Sequence, residues 1–321
     1  MITNRRNSFI SSFKKDGKFF VKMVFLFWAV AFFCFAIVMP QYSHNYTAGL
    51  IDKVERLKTV QGSKIVLIGN SNLSFGIHSE EIEREFSMPV VNMGMYGSFG
   101  NAFHEEMARL NVKKGDIYII CHSNFCNDKK LRDYVLIWSA IENHFGLWRL
   151  LRSDDIVPLI RAYPIYLKKC LELYISGEGN LRPEGCYSRD AFNAYGDIAI
   201  ERTKSEWTFE EPVTPPEIDQ TAIRRINQLA EWLQERGAVL LVAGYPIGKG
   251  DLTAPEEDFL MAQEELKERL SCPFISDCRD YMFDYGLFYN TDLHLTDEGA
   301  TLRTQQLISD LKEWMESQKA S

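Results

Sequence analysis

The longest apolar stretch of the chain lies near its N-terminus. From Phe19 to Met39 it reads FFVKMVFLFWAVAFFCFAIVM, 21 residues interrupted only by Lys22. About 20 apolar residues, rising 1.5 Å each, cross a hydrocarbon core roughly 30 Å thick. Lys22 sits near one end and can snorkel to the headgroups. The apolar core of a secretion signal is shorter, about 7–15 residues, and ends at a small-residue cleavage site. Here Phe and Trp dominate, and Pro40-Gln-Tyr-Ser-His follows. A buried core helix would be shorter and amphipathic. The pattern predicts a retained membrane anchor over 19–39.

Further along, apolar residues come in short runs. Lys64-Ile-Val-Leu-Ile-Gly, Pro89-Val-Val-Asn, Asp116-Ile-Tyr-Ile-Ile-Cys and Ala238-Val-Leu-Leu-Val-Ala-Gly are apolar on both faces, and Pro273-Phe-Ile-Ser is a weaker fifth. Two-faced strands belong to a parallel sheet covered on both sides. Between them the spacing turns helical, over about 79–87, 100–112, 217–236, 255–270 and 296–317. Alternating strand and helix predict an α/β fold, a three-layer sandwich around five parallel strands. A polar juxtamembrane helix is expected over about 45–60. About 115 residues separate the third strand from the fourth and break the rhythm. Residues 129–175 read as helix and 176–216 as Gly- and Pro-rich loop. This predicts a largely helical insertion at about 125–216, near the sheet edge where α/β folds bind ligands. A lid, a substrate wall, a docking surface and a plain decoration are all open readings of it. The segments are then a basic tail (1–18), the anchor (19–39), a juxtamembrane stretch (40–61) and an α/β domain (62–321).

Charge adds a direction. The 321-residue chain carries a formal charge of −8, which argues against a nucleic-acid partner. The first 39 residues nevertheless hold six basic side chains against Asp16 alone, leaving the remainder at −13. A basic flank stays on the cytoplasmic side. The expectation is a single-pass protein of the cytoplasmic membrane, N-terminus inside and α/β domain outside. Hydrophobic residues at 46% and charged residues at 25% fit a packed domain and exclude a disordered chain. Six cysteines lie outside the anchor. They allow 15 pairings that sequence cannot choose among. Cys121, in an apolar strand, reads as a buried thiol, and no CxxC supports a zinc site.

Candidate chemistry gathers at strand ends. The first strand runs into Gly69-Asn-Ser-Asn-Leu-Ser-Phe-Gly76, where Ser71 could be an exposed nucleophile or a helix cap. The second is followed by Asn92-Met-Gly94 and the third by His122-Ser-Asn124. Glycine allows close backbone approach, and an asparagine amide can donate to an oxyanion. Near the C-terminus, Asn290-Thr-Asp-Leu-His-Leu-Thr-Asp-Glu-Gly299 places His294 just before the last helix, with Thr296 suited to its N-cap. The loop Gly244-Tyr-Pro-Ile-Gly-Lys-Gly250 puts Tyr245 at the same edge, as a pocket wall or an ordinary turn aromatic.

Together these blocks resemble the SGNH (GDSL-like) hydrolase superfamily, over about 62–124 and 237–316 and in the family's order. The resemblance implies Ser71 as nucleophile and His294 as general base. It implies an oxyanion hole from Ser71 N–H, Gly94 N–H and the Asn124 side chain. Asn70 stands where an aspartate is usual. The third block lacks the common G-x-N-D, so His122 and Asn127-Asp128 are rivals to Asn124. The usual acid position, three before His294, holds Thr291, while Asp292 lies two before. That spacing is similar to cell-surface polysaccharide acetyltransferases, and Asp292 is the expected orienting acid. The implied activity is a membrane-anchored serine esterase or O-acyltransferase, working through an acyl-serine on an acylated cell-envelope glycan or another small ester. No metal or nucleotide cofactor is expected, and a membrane partner that delivers the acyl group is compatible with the anchor. The competing expectation is a non-catalytic relative that binds glycan or scaffolds a membrane assembly.

Overall fold

The computed structural model of the chain describes residues 3–127, 132–142 and 144–320. The first helix, α1 (Thr3–Phe33), runs on through a π-helical turn at Cys34–Val38. Within it Gly17–Val38 is long and apolar enough to cross a membrane, with a mean hydropathy of 2.5, and its side chains face outward rather than into the protein. Val38 and Met39, at its end, are buried in the domain core. The apolar helix therefore enters the domain directly, and α2 (Gly49–Thr59) adds Leu50, Val54 and Leu57 to the same core.

Four parallel strands form the central sheet: β1 (Ile65–Ile68), β2 (Val90–Asn92), β3 (Ile117–Ile120) and β4 (Val239–Val242), in the spatial order β2-β1-β3-β4. Side chains alternate across a strand, and the two faces seed separate cores. Val66, Ile68, Tyr118, Ile120 and Leu240 join one, with residues of α2, of α5 (Asn101–Met107) and of α8 (Gln220–Gln234). Ile65, Leu67, Ile117, Ile119 and Leu241 join the other, with Ile82 of α4 (Ser79–Phe86) and Leu307 and Leu311 of α10 (Asp297–Ala320). Both faces being covered explains why the strands lack polar alternation.

The expected fifth strand is reduced to one parallel bridge, Val242 to Phe274. Pro273 has no N–H to extend a ladder, and only its carbonyl is used, by Val242 N–H. Two small pairs were not expected: parallel β5 (Ile247–Lys249) with β6 (Met282–Asp284), and an antiparallel hairpin of β7 (Phe288–Thr291) with β8 (His294–Leu295). α9 (Glu256–Arg269) lies between β5 and β6 in sequence. The insertion holds α6 (Tyr134–Ile141) and α7 (Ile156–Ser176), then irregular chain. That chain returns along the β2 edge, where Asn92 N–H donates to Tyr195 O and Ile198 N–H to Ser74 O. All seven cysteines are free, Cys121 among the buried ones.

Candidate active site

β1 delivers the chain into a six-residue helix, α3 (Ser71–Gly76). Its N-cap is Asn70, whose Oδ1 accepts from Asn72 N–H at 2.9 Å and Asn72 Nδ2 at 2.6 Å. Ser71 is therefore not the cap, and its hydroxyl is left for another partner. Asn70 Nδ2 donates to Ser123 Oγ at 3.0 Å, where an aspartate could only accept from that hydroxyl. α10 secures the helix from behind. Buried Arg303 donates from Nη1 to Asn72 O at 2.7 Å and from Nη2 to Asn72 Oδ1 at 2.8 Å.

The β7–β8 hairpin brings His294 to the serine, with Nε2 at 2.8 Å from Ser71 Oγ. The other ring nitrogen, Nδ1, lies 2.8 Å from Asn290 Oδ1. Asn290 Nδ2 donates in turn to Tyr187 Oη at 3.2 Å, which places the amide oxygen toward the histidine. An amide oxygen only accepts, so Nδ1 carries the proton and Nε2 offers a lone pair to the Ser71 O–H. The ring is stacked on Phe75, centroids 3.9 Å apart and planes 5° from parallel. Burial, helped by the nearby Arg202 charge, pushes the His294 pKa down to about 3. The imidazole is thus neutral and ready to accept a proton.

Asp292 is not the partner of His294. It sits at the turn of the hairpin, exposed, with no side-chain hydrogen bond to the ring. Thr291 Oγ1 ties that turn, accepting from Leu293 N–H at 3.2 Å and His294 N–H at 3.1 Å. The reversal carries Asp292 outward and lays Asn290 beside His294. A count of residues along an extended loop could not anticipate this. Thr296 caps α10 as expected, accepting from Gly299 N–H at 3.2 Å.

The expected oxyanion donors divide. Ser71 N–H begins α3 and meets no acceptor among the described residues. Gly94 N–H is engaged, donating at 2.9 Å to Asn92 Oδ1 in an Asx turn. What Gly94 supplies is closeness: a Cβ there would lie 2.8 Å from Ser74 N and 2.9 Å from Asn70 O. Buried Lys53 braces the same loop from below, donating at 2.6 Å to both Gly94 O and Gly196 O. Its burial, only partly offset by Asp197, lowers its pKa to about 7. Asn124 Oδ1 accepts from Asn101 Nδ2 at 3.1 Å and from Cys126 Sγ at 3.2 Å, which leaves Nδ2 unengaged among the described residues. Of its rivals, His122 is buried against Glu105 at 3.3 Å, Asn127 is exposed, and Asp128 lies outside the described residues.

An open cleft of about 550 Å³ adjoins this pair. Ser123 and Asn124 line one side, Thr291, Asp292 and Leu293 another, and Tyr245 the strand edge. The insertion closes it with Trp207, Phe209, Glu210 and Glu211. Tyr245 therefore does stand in a pocket wall, and part of the insertion is wall as well. Ser71 and His294 are not in the lining; they touch it through the Asn70–Ser123 bond and the hairpin turn.

Asn290, Tyr187, Arg202, Lys53 and Arg303 were not singled out from sequence. Each acts through a partner tens to hundreds of residues away in the chain, several through a hairpin with weak strand patterning. Lys53, Arg202 and Arg303 carried no sequence signal, because burial is not written in the sequence. A neutral histidine held between a serine hydroxyl and an orienting amide, next to an open cleft, has the parts for acyl transfer. The chain matches no family model, no curated protein and no solved structure.

Proposed function

We propose that the chain is a membrane-anchored serine esterase or O-acyltransferase of SGNH type, anchored in the cytoplasmic membrane with its α/β domain outside. The observation that carries this reading is the 2.8 Å contact of Ser71 Oγ with His294 Nε2, with Nδ1 held by Asn290. His294 takes the Ser71 proton as Oγ attacks an ester carbonyl, and then gives that proton to the departing alcohol. Ser71 N–H and Asn124 Nδ2 are the oxyanion donors that remain. The acyl-serine passes to water or to a second hydroxyl, with His294 again the base. The strand order 2-1-3-4 and the serine at the end of β1 support an SGNH, flavodoxin-like placement of the nucleophile. The anchor and the open aromatic cleft support an acylated envelope glycan as substrate.

Fluorophosphonate labelling of the full-length protein, read by peptide mapping, tests it. A single adduct on Ser71, lost in Ser71→Ala and His294→Ala, is the expected result. Acyl turnover should fall by about 10⁴–10⁶-fold in either variant. The engaged Gly94 N–H favours one rival, a glycan-binding or scaffolding protein without turnover. That reading expects no adduct on folded protein and glycan binding that survives Ser71→Ala.

A further inference from the structure

We propose that α7 lies in the membrane interface, its outward apolar face resting on lipid beside the anchor. The proposal rests on the reading of Gly17–Val38 as a membrane span. α7 is 21 residues long, and its buried side, through Leu159, Tyr166 and Cys170, packs on the domain. The sector next to it is apolar but exposed. Ile156, Val157, Ile160, Leu171, Tyr174 and Ile175 are all exposed, Ile160 at 64% and Ile175 at 75%. At 3.6 residues per turn these positions fall on one stripe.

Contacts with the anchor give that stripe its direction. Going round α7 by helical angle, the order is Tyr166, Cys170, Tyr163, Tyr174, then the stripe. Tyr166 Oη and Cys170 Sγ reach Met39 O, at 3.3 and 3.7 Å. Tyr163 stacks on Phe35 with centroids 5.6 Å apart, and Tyr174 meets Phe33 at 6.3 Å. Each step round the helix thus moves the contact deeper along the span, by roughly 9 Å from Met39 to Phe33. The next step, onto Ile160, Leu171 and Ile175, faces the hydrocarbon. Orientation in the plane follows from the same contacts. Tyr163 and Tyr174 are roughly 16 Å apart along α7, yet touch points roughly 3 Å apart along the span. α7 therefore crosses the span instead of running along it. The remaining sector carries Arg161, Lys168 and Lys169 against Glu172, suited to anionic headgroups. An exposed apolar stripe ending on a membrane span fits lipid better than a soluble partner.

The test uses full-length protein in nanodiscs of phosphatidylcholine and phosphatidylglycerol. Photoreactive benzoylphenylalanine replaces single residues: Ile160→benzoylphenylalanine and Ile175→benzoylphenylalanine on the stripe, Phe27→benzoylphenylalanine in the span and Lys267→benzoylphenylalanine on α9. Lipid adducts on mapped peptides are expected at 160, 175 and 27, and none at 267. Adducts at 27 without adducts at 160 and 175 overturn the proposal and leave the span intact. No adduct at 27 either removes the span and the proposal with it. The same variants irradiated in native membranes distinguish the other occupant: crosslinks from 160 and 175 to a polypeptide in place of lipid overturn the lipid assignment.

Discussion

Asn290 holds the histidine where a carboxylate was expected. An amide oxygen fixes the tautomer but brings no full charge to stabilise an imidazolium. That agrees with a His294 pKa pushed down to about 3 by burial and Arg202. The sign is direct: a base already neutral at low pH loses no activity as pH falls through the ordinary histidine range. Labelling of Ser71 by fluorophosphonate should therefore stay flat between about pH 5 and 8, with no acid limb near 6.5. Asn290→Asp adds a carboxylate beside Nδ1, which raises the histidine pKa and should bring that acid limb back toward neutral pH. Asn290→Ala should slow labelling by between about 10- and 10⁴-fold, while Asp292→Ala changes it by less than about twofold. Rates measured side by side on the two alanine variants decide which residue orients the ring.

Among the elements, α3 and the β7–β8 hairpin share the work. α3 is too short to be stable alone. It is fixed by the Asn70 cap at one end and by Arg303 against its backbone. The loop after β2 presses on it so closely that only glycine fits at 94. Gly94→Ala must push that loop or α3 aside, since backbone atoms meet the new methyl. A loss of about 1–3 kcal/mol in unfolding free energy is expected, measured by urea denaturation. Labelling of Ser71 should fall with it, because Ser71 rides on the displaced helix. The hairpin is held from the insertion side by Arg202, which pairs with Asp297 at 2.8 Å and donates to Leu295 O at 3.2 Å.

Across the whole molecule, the insertion joins the apolar N-terminal helix to the candidate site. Its helices pack on the end of that helix, and its irregular return supplies Tyr187, Arg202 and the wall from Trp207 to Thr214. The cleft is bordered by Glu210, Glu211 and Asp292, with no Lys or Arg among its described lining residues. Like charges in a confined site repel an anionic substrate. Neutral acyl esters should therefore turn over with lower KM than carboxylate-bearing esters of equal size. The gap should narrow in Glu210→Gln combined with Glu211→Gln, and again at high salt. Steady-state kinetics on a matched ester pair reads this directly.

Local pattern was enough for the apolar N-terminal helix, the four sheet strands, most flanking helices and the positions of Ser71 and His294 at element ends, while their pairing across 223 residues was implied only by the family resemblance. Those features depend on residues close in sequence: an unbroken apolar run, two-faced strands, a glycine-flanked serine, a histidine ahead of a capped helix. The count of strands overshot because Pro273 spoils a ladder that periodicity alone proposes. Tertiary structure decided the rest. The partner of His294 depended on a two-residue turn that sends Asp292 outward and folds Asn290 back. The state of Gly94 N–H depended on where the Asn92 side chain points. Nothing local distinguishes Lys53, Arg202 and Arg303 in the sequence, and only long-range packing turns them into supports of the candidate site. Sequence specifies local conformation through sterics and burial pattern, whereas hydrogen-bond partners far apart in the chain are chosen by the fold that brings them together.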